Sequence, residues 1–233
     1  MPLPGELTAV ILAGGLGTRL RSAVGDYPKI LASVNNRPFI SYLFDQLLCN
    51  GFSHVILCTG HGADKVSDAF GNAYKGLSIE YSPETEPLGT GGALRNSLPR
   101  IKTNDILVMN GDSYVDADLT TYIEWQYSNN IDVSLLLTWV PDTSRYGRVD
   151  IDKNDLITQF VEKSEESTPG WINAGIYILN KNMLSNITSG EPFSLEHEFF
   201  PKLVGKSLYG FRFKGSFIDI GIPATYNVAD QFF

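Results

Sequence analysis

The chain has little of what proton-transfer or metal-capture chemistry most often uses. Only three histidines and two cysteines occur in 233 residues. Cys49 and Cys58 follow no metal or redox spacing, which argues against a disulfide framework and for idle thiols in a reducing cytoplasm. His54, His61 and His197 are too scattered for a histidine metal centre. Positive charge is scarce too: 18 lysines and arginines face 26 acids, for a net charge of −8. That balance provides no basic groove, so nucleic acid is not an expected partner. No apolar run nears the ~20 residues of a membrane span. The opening MPLPGELTAV has neither the basic region nor the apolar core of an export signal. Repeats, low-complexity tracts and Pro/Gly/Ser linkers are missing. What remains is an acidic chain, 43% hydrophobic, read as a single cytoplasmic domain over residues 1–233 with no membrane partner. Assembly into a homo-oligomer is left open.

What is present is an alternation of buried strands and helices. Thr8–Leu12, Val55–Cys58, Leu77–Tyr81 and Ile106–Met109 read as buried strands. Between them, Phe39, Ile40, Leu43, Phe44, Leu47 and Leu48 form a helical stripe that Pro38 would open and Gly51 would stop. Further helices are expected over about 62–70 and 90–98. This order predicts an α/β fold, a Rossmann-like, mixed but mostly parallel sheet flanked by helices. The second half predicts strands over 133–140, 147–151, 156–161 and 171–179, a β-rich insertion beside the parallel core. A helix over 195–204, an extended stretch over 208–213 and a closing helix over 223–232 follow.

Several segments suit chemistry on a phosphorylated ligand. In VILAGGLGTRL, Gly14, Gly15 and Gly17 end a strand and leave backbone N–H groups uncovered. Such a turn can close on a phosphate, with Arg19 beyond it as a fixed charge. Taken alone, it suits an empty structural turn almost as well. Lys29, in YPKIL, could reach back to the same phosphates. Asp112, in VMNGDSYVD, and Asp219, in FIDIGIPATY, each follow an apolar run and precede or join a glycine turn. A strand-end carboxylate of this kind suits Mg²⁺, and the two share one ion only if the fold joins their segments. In SPETEPLGTGGAL, Gly89, Gly91 and Gly92 permit close approach to a flat base. Either Glu84 or Glu86 could accept hydrogen bonds from its N–H edge, which favours guanine. Glu162-Lys163 and Asn173 could hold a second phosphate and sugar hydroxyls, or be an ordinary surface group.

The order LAGGLGTRL, PK, EPLGTGG, NGD, VEK, NAGIYIL and D-x-G resembles the sugar-1-phosphate nucleotidyltransferases, from Thr8 to about Asp230. The resemblance implies the nucleotide-diphospho-sugar transferase fold, with a nucleotide-binding half to about 112 and a sugar-phosphate-binding half after it. It implies that the backbone at Leu12, with Gly14 and Gly15, holds nucleotide and phosphates. Arg19 would stabilise departing pyrophosphate, and Lys29 would bind the nucleotide phosphates. The loop Glu86 to Gly91 would read the base, and Asp112 and Asp219 would bind Mg²⁺. Lys163 would grip the sugar phosphate, Glu162 and Asn173 would face the sugar, and Gly147 would leave room for its ring. The chain departs from the family at Ile30, where proline is common, at GTGG for GTAG, and at Phe217 for tryptophan. None of these removes a charged group.

Within the family, EPLGTGGAL, RYGRV, INAGIYIL, PFSLEHEFF and FIDIGIP look most like the branch that transfers GMP from GTP to heptose 1-phosphate. Mannose-1-phosphate guanylyltransferases share EPLGT, but most carry a long C-terminal extension. No acyltransferase or β-helix domain is expected here. Muramate-1-phosphate uridylyltransferases have GKGER and PLET where this chain has GLGTR and PLGT. Two other classes are an inactive regulator that binds nucleotide-sugars and a glycosyltransferase. Asp116-Ala117-Asp118 matches the glycosyltransferase Asp-x-Asp spacing, but Asp118 reads as the N-cap of a helix from Leu119.

Overall fold

A computed structural model describes residues 6–15, 17–20, 25, 27–161 and 167–233. The chain opens with β1 (Leu7–Ala13). A hairpin of β2 (Ser33–Val34) and β3 (Arg37–Pro38) then leads into helix α1 (Ile40–Cys49). Next come β4 (His54–Thr59), α2 (Ala63–Phe70), β5 (Ala73–Tyr74), β6 (Leu77–Pro83), α3 (Gly89–Ser97) and β7 (Asp105–Asn110). The second half holds β8 (Ser113–Val115), α4 (Leu119–Ser128), β9 (Val133–Val140), β10 (Arg148–Ile151), β11 (Ile157–Val161) and β12 (Gly170–Asn180). It closes with a π turn (Leu195–Phe199) running into α5 (Phe200–Leu203), then β13 (Tyr209–Phe213), β14 (Phe217–Asp219) and α6 (Pro223–Tyr226).

Eight strands form one sheet in the order β13-β9-β12-β7-β1-β4-β6-β5. Strands β7, β1, β4 and β6 run parallel, and β12 lies antiparallel between β7 and β9. The sheet is covered on both faces. Alternate residues of β1 show why: Ala9 and Ile11 point into the cluster under α1 with Leu43, Phe44 and Leu47, while Val10 points into the cluster with Ala93 and Leu94 of α3. Burial on both sides explains why these strands read as unbroken apolar runs.

The mixed, mostly parallel sheet predicted from the sequence is the fold observed. The β-rich half also forms, and its strands β12, β9 and β13 continue the central sheet. β10 and β11 stand apart as a separate hairpin, and β8 and β14 as a separate short ladder. Pro38 lies in β3, two residues ahead of α1, rather than in the helix's first turn. The closing helix is broken into α6 and a short turn over Ala229–Gln231. There Phe232 and Phe233 fold back on Tyr114, and Phe233 also meets Tyr42. Asp118 caps α4 as expected, accepting from the N–H groups of Thr120 and Thr121 at 2.9 and 3.3 Å.

Candidate active site

The carboxyl ends of β1, β6 and β7 open on a cleft of about 280 Å³. Ligands collect at this end of parallel sheets because strand ends and helix starts converge there. The described walls are residues 12–15, Lys29, Ile30, Glu84, Pro87, Gly89, Thr90, Ala93, Asn110 and Asp112. Of the sequence candidates, the fold thus gathers Leu12, Gly14, Gly15, Lys29, Glu84, Gly89 and Asp112.

Lys29 pairs with Asp112 Oδ2, and the two side chains are only 14% and 28% exposed. The backbone after Asp112 forms β8, which pairs antiparallel with β14 so that Ser113 lies opposite Asp219. The N–H of Ile220 donates to the carbonyl of Asp112 at 2.9 Å. This short ladder brings the two carboxylates together. Burial pushes the Asp219 carboxyl above the usual aspartate range, and the Asp112 charge pushes it the same way. The Gly221 N–H, Lys29 and Arg145 pull it back. Two acids facing one another with a single wall cation form a donor set that fits a divalent ion. Among the described residues, no group of three or more His, Cys, Asp or Glu side chains gathers. Two carboxylates suffice for an ion that takes its other ligands from water and substrate phosphates.

Glu84 sits behind the first glycine turn. A methyl group at Gly14 would lie 2.5 Å from Glu84 Oε1, and one at Gly60 would lie 2.8 Å from it. The bareness of Gly14 therefore makes room for a carboxylate, whereas Gly15 faces open space. Glu84 Oε2 accepts from the N–H of Leu88 at 3.3 Å, and burial pushes its carboxyl above the usual glutamate range. Glu86 is exposed and is not found among the described walls. Of the two acids left open by the sequence, Glu84 is the one in the cleft.

Three candidates lie off the described walls of the cleft. Gly91 faces away from the cleft, toward Phe193: its N–H donates to the Phe193 carbonyl at 2.8 Å, and a methyl there would meet Phe193 Cδ1 at 2.6 Å. Gly92 is likewise kept bare by the Glu191 carbonyl, and Gly89 by that of Phe193. The close approach that these glycines permit is made by the segment Glu191–Phe193. Arg19 is exposed on the turn that ends at buried Leu20, outside the described walls. Gly147, at φ +76°, turns the chain into β10, and its N–H donates to the Thr143 carbonyl. Glu162 and Lys163 lie outside the described residues.

The family profile described as nucleotidyl transferase matches residues 8–232. The chain belongs to the nucleotidyl transferase family. This nucleotidyl transferase is 40% identical to a D-glycero-alpha-D-manno-heptose 1-phosphate guanylyltransferase of Aneurinibacillus thermoaerophilus, over 97% of each chain. It is 35% identical to a mannose-1-phosphate guanylyltransferase of Mycobacterium tuberculosis, over 95% of this chain and 63% of that one. Its fold superposes on HddC from Yersinia pseudotuberculosis, solved with GMP-PN, at a TM-score of 0.86 and 37% identity. That match covers 97% of this chain and 98% of the other.

In this nucleotidyl transferase, the sequence reading missed a polar group beneath the cleft. Asn173, on β12, donates through Nδ2 to the Tyr177 hydroxyl at 3.1 Å, and the hydroxyl donates to Glu196 Oε1 at 3.1 Å. Asn110, a cleft wall, donates to the same hydroxyl at 3.3 Å. Neither Tyr177 nor Glu196 belongs to a motif whose spacing signals chemistry. The bulge in β12 brings Asn173 to Tyr177, because four residue steps between them match two on β9, from Leu137 to Leu135.

Proposed function

We propose that the protein transfers GMP from GTP to D-glycero-α-D-manno-heptose 1-phosphate, giving GDP-heptose and pyrophosphate. The observation that carries this reading is the likeness, over 97% of both chains, to a guanylyltransferase for that sugar phosphate. Mannose 1-phosphate is the second reading, supported by the 35% identity to an enzyme of which this chain spans 63%.

The cleft suits the reaction. The attacking sugar-phosphate oxygen is already an anion, so no general base is needed, and a site without histidine can perform the transfer by positioning and charge neutralisation. Backbone N–H groups at residues 12–15 face the triphosphate, and Lys29 neutralises its α-phosphate side. Arg19, exposed beyond the glycine turn, stabilises departing pyrophosphate. Glu84 accepts from guanine N1–H and N2–H₂, adjacent donors that adenine and the pyrimidines do not present together. Asn173 and Glu162 take sugar hydroxyls, Gly147 leaves space for the ring, and Lys163 holds the sugar phosphate. Mg²⁺ held by Asp112 and Asp219 would supply Lewis-acid neutralisation of the phosphates. GTP and sugar phosphates are cytoplasmic solutes, and we place the protein there.

The test is pyrophosphate release with GTP, UTP, CTP, ATP and dTTP, each crossed with heptose and mannose 1-phosphates. GTP with the heptose phosphate should give the highest kcat/KM. A preference for UTP contradicts the guanylyl reading, and a preference for mannose 1-phosphate contradicts the sugar.

A further inference from the structure

Glu196 lies in the π turn at the start of the segment's return to the sheet, and its carboxylate joins the cleft wall at Thr90 to Tyr177 of β12. Oε1 accepts from the Tyr177 hydroxyl at 3.1 Å. Oε2 accepts from the Thr90 hydroxyl at 2.6 Å and from Ser194 at 3.1 Å. Thr90 is a cleft wall in the first turn of α3, and its Oγ1 also accepts from the N–H of Leu195 at 2.8 Å. The carboxylate therefore ties the base-side helix start to the sugar-side strand β12.

The donor count fixes the direction of every bond. A tyrosine hydroxyl has one proton to give and two lone pairs. Here Asn110 and Asn173 both offer Nδ2–H to it. The Asn173 amide cannot flip freely, because its Oδ1 accepts from the N–H of Gly175 at 2.9 Å. The hydroxyl proton must then go to Glu196, whose ionised carboxylate accepts only. Asn110 is held in the orientation that leaves its Oδ1 buried without a partner among the described residues. Gly175 leaves the room this orientation needs, since a methyl there would come within 2.9 Å of Asn110 Nδ2. An unpaired buried acceptor is unfavourable unless its surroundings impose it, and here the imposition traces back to Glu196.

We propose that Glu196 is a positioning residue: acting through the Tyr177 hydroxyl, it sets which way the Asn110 and Asn173 amides face, and so how tightly the cleft holds the sugar 1-phosphate. This rests on reading the cleft as the site for GTP and a sugar 1-phosphate. A glutamine at 196 offers one acceptor and one donor end to three hydroxyl donors, so it must either lose the Thr90 bond or reverse the Tyr177 bond. Reversal makes Tyr177 donate to an asparagine carbonyl, and Asn110, with its unpaired Oδ1, is the one that flips.

The experiment compares wild type, Glu196→Gln, Tyr177→Phe and the double variant by three readouts: steady-state kinetics with each substrate varied, thermal melting, and ¹⁵N–¹H NMR of the side-chain amides. Each single variant should raise KM for the sugar 1-phosphate roughly tenfold, with kcat and KM for GTP changed far less. The double variant should be no worse than the poorer single one. The Asn110 and Asn173 amide signals should move in both single variants. Additive kinetic effects, or an equal rise in KM for both substrates together with a lowered Tm, would overturn the proposal in favour of a general packing role. Unmoved amide signals would also overturn it. If wild type transfers no nucleotide to any sugar phosphate while the amide signals still move together, the functional reading fails and the positioning role stands.

Discussion

Asp219 is held in an environment that disfavours its charge: burial and the Asp112 carboxylate both raise its proton affinity, against the Gly221 N–H, Lys29 and Arg145. A group whose folded pKa is raised lends stability at low pH and withdraws it as pH climbs through that value. Asp219→Asn removes this withdrawal, so its Tm should exceed that of wild type by a margin that grows from pH 4 to pH 7. A shrinking margin would remove the electrostatic account. Turnover of Asp219→Asn and of Asp112→Asn should fall on the order of 10²–10³-fold, read as pyrophosphate release. Glu84 is a second case of the same kind, raised by burial and pulled back by the Leu88 N–H. Glu84→Gln should keep or raise Tm while kcat/KM for GTP drops about tenfold, the scale of a lost hydrogen bond to a charge. An unchanged nucleotide preference would take Glu84 out of base recognition. The acids at 84 and 86 could not be separated in the sequence, because their separation depends on geometry. The N–H of Glu84 still bonds to the Thr59 carbonyl at the sheet's end, and two residues later Glu86 has left it.

At the scale of elements, the glycines of α3 have a structural task. The segment Glu191–Leu195 crosses the helix start, with Phe193 accepting from the N–H groups of Gly91 and Gly92 at 2.8 and 3.1 Å. Gly91→Ala should destabilise the protein by about 1–3 kcal/mol, the usual range for overpacking, measured by denaturant unfolding. KM for GTP should stay near wild type at a temperature where the variant is folded. A raised KM without loss of stability would return Gly91 to the base. The sequence showed the glycines but not their neighbour, because the contact spans about a hundred residues. The core strands were legible for the opposite reason: β1, β4 and β7 are buried on both faces, and their apolar runs announce it. The pairing of β8 with β14 was not legible, since three residues on each side carry no periodicity. Yet that pairing places Asp219 beside Asp112.

Across the whole molecule, the described walls of the cleft all come from residues 12–112, and the later strands pack against them. Strand β12 enters the sheet antiparallel to β7 and brings Asn173 and Tyr177 to the cleft wall at Asn110. The order of motifs showed the family, and the fold supplied the joints between distant segments. Because Lys29 already partners Asp112, chelation of divalent ions should abolish pyrophosphate release without lowering the melting temperature of the substrate-free protein. A coincident loss of fold would make the metal structural. The most direct measurement of the central claim is a competition. Wild-type protein is given all five nucleoside triphosphates with equal heptose and mannose 1-phosphates, and the products are resolved by mass, so that each yield reads a ratio of kcat/KM. GDP-heptose should dominate the early products. A uridine- or thymidine-linked sugar in its place would contradict the account.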